Sequence, residues 1–141
     1  MTDTFQLQVA TPERLVVDEQ VTEAEVPGLN GYLGILAGHA PLMSALKPGV
    51  LTYQGGGGPH VLAIAGGFLE ISENQVRVLA DEAEAPEEIQ VEQARKQVEE
   101  ASRALQGAKE PAEVDAALRS MQQAQARIDA ASRVTPAGAA H

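Results

Sequence analysis

The sequence predicts a β-sandwich N-terminal domain over residues 1–86, followed by an antiparallel hairpin of two α-helices over residues 87–141. Two observations support this division. Of the 13 glycines, 11 lie in residues 1–86, and so do six of the eight prolines. Apolar residues form short runs between turn residues in the first part, whereas they recur every three or four positions in the second. The first pattern is typical of an antiparallel sandwich or barrel, and the second of amphipathic helices.

Eight short apolar runs are the strand candidates, and several alternate between apolar and polar residues, as half-buried strands do. Phe5, Leu7 and Val9 alternate in the first run, and Val76 and Val78 in the last. The segments PGLNG, KPG, GGGGP and SENQ are predicted to be turns between the runs. GGGGP is predicted to be a hairpin loop, because the Gly-Lys-Ser/Thr of a phosphate-binding loop does not follow it. In AIAGGFLEI we expect a strand pair with a glycine bend.

The first helix is predicted to begin after Pro86 and to end at Gly107, since glycine commonly terminates helices. Pro111 suits the first turn of the second helix, where its missing N–H is not needed. The predicted apolar stripes are Val91, Ala94, Val98, Ala101 and Leu105, and then Val114, Ala117, Met121, Ala124, Ile128 and Ala131. The tail TPAGAAH is expected to fray.

The seam between these two helices is rich in alanine. An alanine side chain contributes little at ~0.8 kcal/mol per buried CH₂, and isolated helices are marginal in water. We therefore expect a hairpin that either docks on another surface or can come apart.

Composition and charge exclude several functions. The net charge is −10, and residues 1–86 carry 11 acidic and 3 basic side chains. Such an acidic body lacks the clustered Lys and Arg that bind a phosphate backbone, so nucleic acid is not an expected partner. The chain has no cysteine, which excludes disulfides and thiolate chemistry. With no apolar run of ~20 residues and no secretion leader at its start, it is expected to reach a membrane only through partners.

His39, in the segment GILAGHAPLM, is the residue that first suggests chemistry. A catalytic base needs a nucleophile and an orienting acid within reach, and the nearby Ser44 lacks the context of a nucleophile elbow. No histidine has a second histidine or a carboxylate at metal-ligand spacing. We therefore expect no active site, no metal and no cofactor.

Arg119 and Arg127 suggest a different kind of site on the second helix. They are eight residues apart, so they lie within ~80° of each other around the helix. A basic stripe on an acidic protein favours an acidic partner surface. The alternative is an ordinary solvated helix face.

A different class of function stays open at this point. A β-sandwich module that binds a carbohydrate or peptide could use the helices as an oligomerisation hairpin. The chain has four aromatic residues, and so small a number disfavours the aromatic ligand cleft that such a module needs. Such a module would also self-associate through its helices.

Two long segments resemble motifs of the epsilon subunit of bacterial F-type ATP synthase. GYLGILAGHAPLMSALKPGVL (31–51) resembles G-x-x-G-I-x-x-G-H-A-P-L followed by a K-P-G turn, with Ala37 in place of a proline. AIAGGFLEISENQVRVLADEAE (63–84) resembles a strand pair that ends in V-L-A-D-x-A-E. The resemblance covers nearly the whole chain. It implies a non-catalytic subunit of a proton-translocating enzyme, on the central rotor stalk at the cytoplasmic face of the cell membrane, between the gamma subunit and the ring of c subunits.

The resemblance also implies partner-binding residues. His39 and Ser44 would face gamma, and Tyr32 lies where members often carry an acidic residue that meets the c-ring loops. In this family the hairpin either folds against the sandwich or extends along the stalk and blocks ATP hydrolysis. Arg119 and Arg127 are the candidates for contact of the extended hairpin with an acidic loop of the beta subunit. The isolated chain is expected to be a monomer.

Some members of the family bind ATP on the folded hairpin through an Ile/Leu-Asp-x-x-Arg-Ala motif. The matching segment here is IQVEQA (89–94), in which Gln90 and Gln93 replace the aspartate and the arginine. Arg95 cannot replace that arginine, because two residues along a helix correspond to ~200° around it. ATP binding is therefore expected to be weak or absent.

Overall fold

A computed structural model describes residues 3–133 of the chain. Within these residues the strands are β1 (Phe5–Ala10), β2 (Leu15–Gly28), β3 (Gly31–Leu36), β4 (Leu42–Gly55), β5 (Gly58–Ser72), β6 (Gln75–Ala80) and β7 (Ala83–Glu84). A 3-10 turn at Pro86–Glu88 leads to helices α1 (Val91–Gly107) and α2 (Pro111–Arg133). The predicted fold class, a β-sandwich followed by a two-helix hairpin, is confirmed. The tail that was expected to fray lies outside the described residues.

The strands form one sheet that closes on itself. Its order is β1-β6-β5-β4-β2-β3, and β1 also pairs with β2, which makes a flattened barrel with β3 at one edge. The β1–β6 pair is parallel, whereas the pairs β2–β4, β4–β5 and β5–β6 are antiparallel. Runs that the sequence separates are joined in the structure, because RLVVDE and VTEAEV both contribute to β2.

Strand β5 bends at Gly66 and Gly67, with φ of +103° and +131°. AIAGGFLEI is thus one continuous bent strand and not the predicted pair of strands. A Cβ on Gly67 would lie 2.0 Å from the carbonyl oxygen of Leu79 on β6. Because that distance is far below van der Waals contact, only glycine lets the two strands approach this closely.

The predicted turn at KPG is wrong, since residues 47–49 lie inside β4. They belong to a bulge, because Glu25 pairs with Thr52 whereas Gly28 pairs with Leu46, so β4 has more residues than β2 between these two pairs. A bulge accommodates Pro48 because it leaves the ladder position unpaired. A Cβ on Gly49 would lie 2.6 Å from Cβ of Pro27.

The sandwich interior contains the residues whose alternation predicts it. Phe5, Leu7 and Val9 of β1 and Val76 and Val78 of β6 are all buried, and they pack in one apolar cluster. All seven strands contribute residues to this cluster, and β1, β6, β5, β4 and β2 pair around it in the closed part of the sheet. Period-2 alternation thus specifies which face of each strand is inside.

The predicted turn between the two helices is confirmed, but α1 begins at Val91 and not directly after Pro86, because Pro86–Glu88 form a 3-10 turn. Helix α1 ends at Gly107 and α2 begins at Pro111. The carboxylate of Glu113 accepts hydrogen bonds from the backbone N–H groups of Glu110 and Lys109, at 3.0 and 3.3 Å. These are donors at the helix start that would otherwise lack a partner. The buried residues of the predicted stripes are all alanines: Ala94, Ala101, Ala117 and Ala124.

The hairpin docks on the sandwich through α2, which contacts β4 and β5. The contact is a small apolar cluster of Val50, Ala63, Ala126 and Ala130, with Val61 and Ile89 packed against it. Ala126 and Ala130 lie outside the predicted stripe, so α2 presents one small-residue face to α1 and another to the sheet.

Candidate functional site

The loop between β3 and β4 positions His39. The N–H of Gly38, at φ +80°, donates to Oδ1 of Asn74 at 2.9 Å, and Nδ2 of Asn74 donates to the carbonyl of Thr4 at 2.8 Å. The His39 ring Nδ1 lies 2.7 Å from the carbonyl oxygen of Ala40. The imidazole therefore contacts its own loop, and Asn74 holds the loop to the β5–β6 turn.

Ser44 lies on β4, where its hydroxyl donates to the carbonyl of Ala45 at 2.9 Å. The structure places Ser44 in a strand and His39 in the preceding loop, and each is hydrogen-bonded to a neighbouring carbonyl. Among residues 3–133, no group of three or more His, Asp or Glu side chains is arranged to hold a metal ion.

Tyr32 lies on the edge strand β3 and is 46% exposed. Its hydroxyl accepts a hydrogen bond from the backbone N–H of Val50 at 3.1 Å. A Cβ on Gly49 would lie 2.8 Å from the same hydroxyl, so the tyrosine closes over the β4 bulge. The hydroxyl of Tyr32 is thus part of the internal hydrogen bonding of the sheet, and the exposed part of the ring is available to a partner.

The outer face of the sheet exposes a row of apolar side chains that the sequence interpretation missed. Strand register places Ala45, Phe68, Leu79, Ala10 and Leu15 side by side across five strands. We call these five residues the outer apolar row. Phe68 is 63% exposed, Leu15 56% and Leu79 53%. Exposed large apolar side chains that are contiguous mark an interaction surface more often than scattered ones do.

The neighbouring row on this face is polar, apart from the exposed Met43. In that row Arg77 pairs with Glu70 at 3.6 Å, and Gln8 donates to Asp18 at 3.4 Å. The alternation of β5 indicates the outward direction of Phe68, whereas the row as a whole follows only from the strand register. Leu69 and Ile71 are buried, so Phe68, which directly precedes Leu69, must point outward together with Glu70.

Arg127 on α2 faces the sandwich. Its Nε donates to Oε1 of Glu84 at 2.7 Å and its Nη2 to Oε2 of Glu84 at 3.3 Å, a two-pronged ion pair. The Arg127 side chain is 12% exposed and that of Glu84 27%. The same guanidinium donates to Gln97 at 3.3 Å and to Gln93 at 3.4 Å on α1.

Arg119 and Gln123 lie on the same face of α2 as Arg127, at steps of four residues. Nε2 of Gln123 donates to Glu82 at 3.2 Å. Nη1 of Arg119 lies 3.9 Å from the point where a Cβ on Gly66 would be, and Oδ2 of Asp81 lies 3.5 Å from that point. This face is therefore directed at the acidic segment 81–84, and Arg119 is its most exposed cation.

The linker between the two parts is held by Arg14 and Glu88. Nη2 of Arg14 donates to Oε1 of Glu88 at 2.9 Å, and the N–H of Ala85 donates to the same oxygen at 2.8 Å. The hydrogen bond from Arg14, followed by that from Ala85, lowers the pKa of Glu88 below its ordinary value. The same hydrogen bond raises the pKa of Arg14. The linker is thus tied to the start of β2.

The segment IQVEQA at 89–94 contains the start of α1. Ile89 packs against the docking cluster, and Gln90 is the N-cap residue of α1 without a side-chain capping bond. The amide oxygen of Gln93 accepts from Arg127. Gln93 occupies the position at which the ATP motif of the family has an arginine. It is a neutral residue that accepts a hydrogen bond from a guanidinium.

Comparison with known proteins identifies the family to which this chain belongs. Residues 4–86 match the family described as ATP synthase, Delta/Epsilon chain, beta-sandwich domain. The ATP synthase epsilon chain of Solibacter usitatus (strain Ellin6076) is 49% identical over 136 residues, which are 94% of this chain and 99% of that protein. The ATP synthase epsilon chain of Anaeromyxobacter sp. (strain K) is 44% identical, over 90% of this chain and 97% of that one.

Solved structures resemble the chain over most of its length. A chain in the cryo-EM structure of Euglena gracilis mitochondrial ATP synthase, OSCP/F1/c-ring in rotational state 1, has a TM-score of 0.78 at 26% identity, covering 92% of this chain and 82% of that one. A chain in the Tetrahymena thermophila mitochondrial ATP synthase central stalk/c-ring structure has the same fold, with a TM-score of 0.67 at 14% identity over 92% and 98% of the two chains.

The fold and the sequence matches together define a class of protein, the β-sandwich-plus-hairpin subunits of ATP synthases. Within residues 3–133 no helix is long and apolar enough to cross a membrane. The chain belongs to the ATP synthase epsilon chain family and is a non-catalytic subunit of that complex.

Proposed function

We propose that this chain is a rotor subunit in the central stalk of a proton-translocating F-type ATP synthase, peripheral at the cytoplasmic face of the cell membrane. Residues 1–86 form the rotor-binding unit, which couples the catalytic head to the c-ring. Residues 87–141 form a regulatory unit that inhibits ATP hydrolysis. The observation that carries the proposal is the outer apolar row on a chain of the epsilon family.

The outer apolar row is the surface that binds the gamma subunit. Burying a leucine or phenylalanine side chain stabilises a contact by ~1.5–3 kcal/mol, so Phe68, Leu79 and Leu15 together provide enough apolar surface to anchor one edge of an interface. The adjacent row with Glu70 and Arg77 supplies a polar rim, as protein interfaces commonly have.

His39, Ser44 and Tyr32 contribute contacts separate from the outer apolar row. The loop of His39 and the nearby Ser44 face gamma, and their hydrogen bonds to Ala40 and Ala45 shape the backbone there. Tyr32, on the edge strand, meets the c-ring loops with the exposed part of its ring. None of these roles requires chemistry from the side chain.

The helical hairpin is the inhibitory element. It docks through a few small apolar residues, so modest changes in free energy shift its population between docked and extended forms. In the extended form Arg119 and Arg127 contact an acidic loop of the beta subunit. ATP does not stabilise the docked form, because Gln90 and Gln93 replace the charged pair of the ATP motif. Micromolar ATP affinity in a titration would contradict this last point.

Binding of surface variants to the purified alpha–beta–gamma assembly tests the proposal. Phe68→Asp places a charge in the outer apolar row and is expected to weaken binding roughly tenfold or more. Leu118→Asp is the matched control, because Leu118 is also exposed, at 40%, but lies on α2. Equal affinities of Phe68→Asp and the parent chain would show that gamma binds elsewhere.

A further inference from the structure

The apolar part of the docking surface is too small to hold the hairpin by itself. Two alanines of α2, Ala126 and Ala130, meet Val50 and Ala63 of the sheet. An alanine buries a single methyl group, and most helix stability in proteins comes from packing of larger apolar side chains. The docked form therefore depends on polar contacts between α2 and the sandwich.

Arg127 supplies the strongest of these contacts. Its guanidinium makes a two-pronged ion pair with Glu84 of β7, and it also donates to Gln93 and Gln97 of α1. One side chain thus joins the sandwich to both helices. Because Arg127 is only 12% exposed, water screens this pair less than an ion pair on the surface.

We propose that the Arg127–Glu84 pair is a latch that holds the hairpin in the docked form, and that an acidic partner surface opens it by competing for the same guanidinium. Arg127 is occupied by Glu84 while the hairpin is docked. It becomes available to another carboxylate only when α2 leaves the sheet. Docking and binding to an acidic partner then exclude each other, so each weakens the other by linkage. This inference rests on the proposed inhibitory function only in naming the beta subunit as the acidic partner.

Glu84→Gln tests the latch in a way that truncation does not. It removes the charge that holds Arg127 but leaves the arginine and the side-chain shape in place. Asp129→Asn is the matched control, because Asp129 pairs with Arg133 at 3.2 Å on the same helix, with both side chains more than 40% exposed. Its loss removes an ion pair that does not connect the helix to the sheet.

The position of the hairpin is measurable directly in the isolated full-length chain. The chain has no native cysteine, so Ser72→Cys on β5 and Gln122→Cys on α2, both exposed, accept two spin labels specifically. Pulsed electron–electron double resonance then gives the distribution of distances between the label on the sandwich and the label on the hairpin. We expect Glu84→Gln to raise the ratio of undocked to docked molecules roughly tenfold, and Asp129→Asn to leave it unchanged. A distribution for Glu84→Gln equal to that of the parent chain would overturn the latch.

A charge swap separates loss of the latch from loss of folding. The double variant Glu84→Arg with Arg127→Glu restores an ion pair of opposite polarity, and it is expected to recover most of the docked population that Arg127→Glu alone loses. If the double variant is as undocked as the single variant, the pair acts through its shape and not through its charges, and the proposal fails. These measurements need no other subunit, so their failure is distinguishable from failure of the proposed function.

Inhibition of the assembled enzyme tests the competition for Arg127. Glu84→Gln is expected to inhibit ATP hydrolysis more strongly than the parent chain, because it frees the hairpin with Arg127 intact. Arg127→Gln also frees the hairpin, but it lacks the group that binds the acidic surface and is expected to inhibit less than Glu84→Gln. Equal inhibition by these two variants would overturn the shared role of the guanidinium.

Discussion

The hydroxyl of Tyr32 accepts a hydrogen bond from the backbone N–H of Val50 at 3.1 Å, across the bulge that Pro48 and Gly49 form in β4. At the bulge the register gives Val50 no partner on β2, and Val50 is buried. A tyrosine on the edge strand therefore satisfies a backbone group of a neighbouring strand.

Tyr32→Phe is expected to lower the free energy of unfolding by about 1 kcal/mol, because it leaves a buried N–H without its acceptor. Urea denaturation of the two chains measures the difference. An unchanged midpoint would mean that water replaces the hydroxyl, and that Tyr32 serves a partner alone.

Gly67→Ala is expected to destabilise the fold by about 2 to 4 kcal/mol, since the new Cβ would be driven against the carbonyl oxygen of Leu79 at a φ of +131°. Gly34→Ala is the control, because a Cβ there meets nothing within 4 Å. Thermal unfolding of both variants provides the comparison. Similar stability of the two variants would show that β5 can shift away from β6.

The Arg14–Glu88 contact predicts a dependence of stability on pH. The folded pKa of Glu88 is below its ordinary value of 4.5, so its stabilisation is present above that value and is lost as pH falls through the folded pKa. Glu88→Gln should therefore be less stable than the parent chain at about pH 7, and this difference should shrink as the pH falls below that ordinary value. The free energy of unfolding of both chains, measured from about pH 7 down to about pH 3, tests this dependence. Glu87→Gln is the control, because Glu87 is an exposed neighbouring carboxylate. A difference that stays constant with pH would rule out the ionised carboxylate as its source.

Arg119→Glu is expected to relieve inhibition of ATP hydrolysis while the chain still binds the complex. Arg119 is the cleaner position for this test, because charge reversal at Arg127 also breaks its ion pair with Glu84. Hydrolysis and binding are measured on the same preparation. If inhibition survives reversal at both arginines, they are ordinary solvent-facing residues.

The sequence predicts the sandwich interior and the hairpin because both depend on local periodicity. Alternation places Phe5 and Leu7 inside, and Gly107 and Pro111 mark the turn between the helices. The register of the outer face follows only when strand pairing is known, so Phe68 was not recognised as part of a row.

Local sequence pattern does not predict the features that depend on contacts between residues far apart in the sequence. KPG has the composition of a turn, but Tyr32 and the register of β2 make it a bulge in a strand. Arg127 is predicted to face an acidic partner, and in the docked form its acidic partner is Glu84, 43 residues away in the sequence. Whether it also meets another subunit stays a prediction.

The rate of ATP hydrolysis by the matching alpha–beta–gamma complex, measured with the full chain and then with residues 1–86 alone, tests the central claim most directly. We predict that both proteins bind and that only the full chain slows hydrolysis, because the hairpin is the inhibitory element. Binding of both without any slowing would contradict that role for the hairpin. Failure of both to bind would contradict the assignment of the sandwich to the rotor.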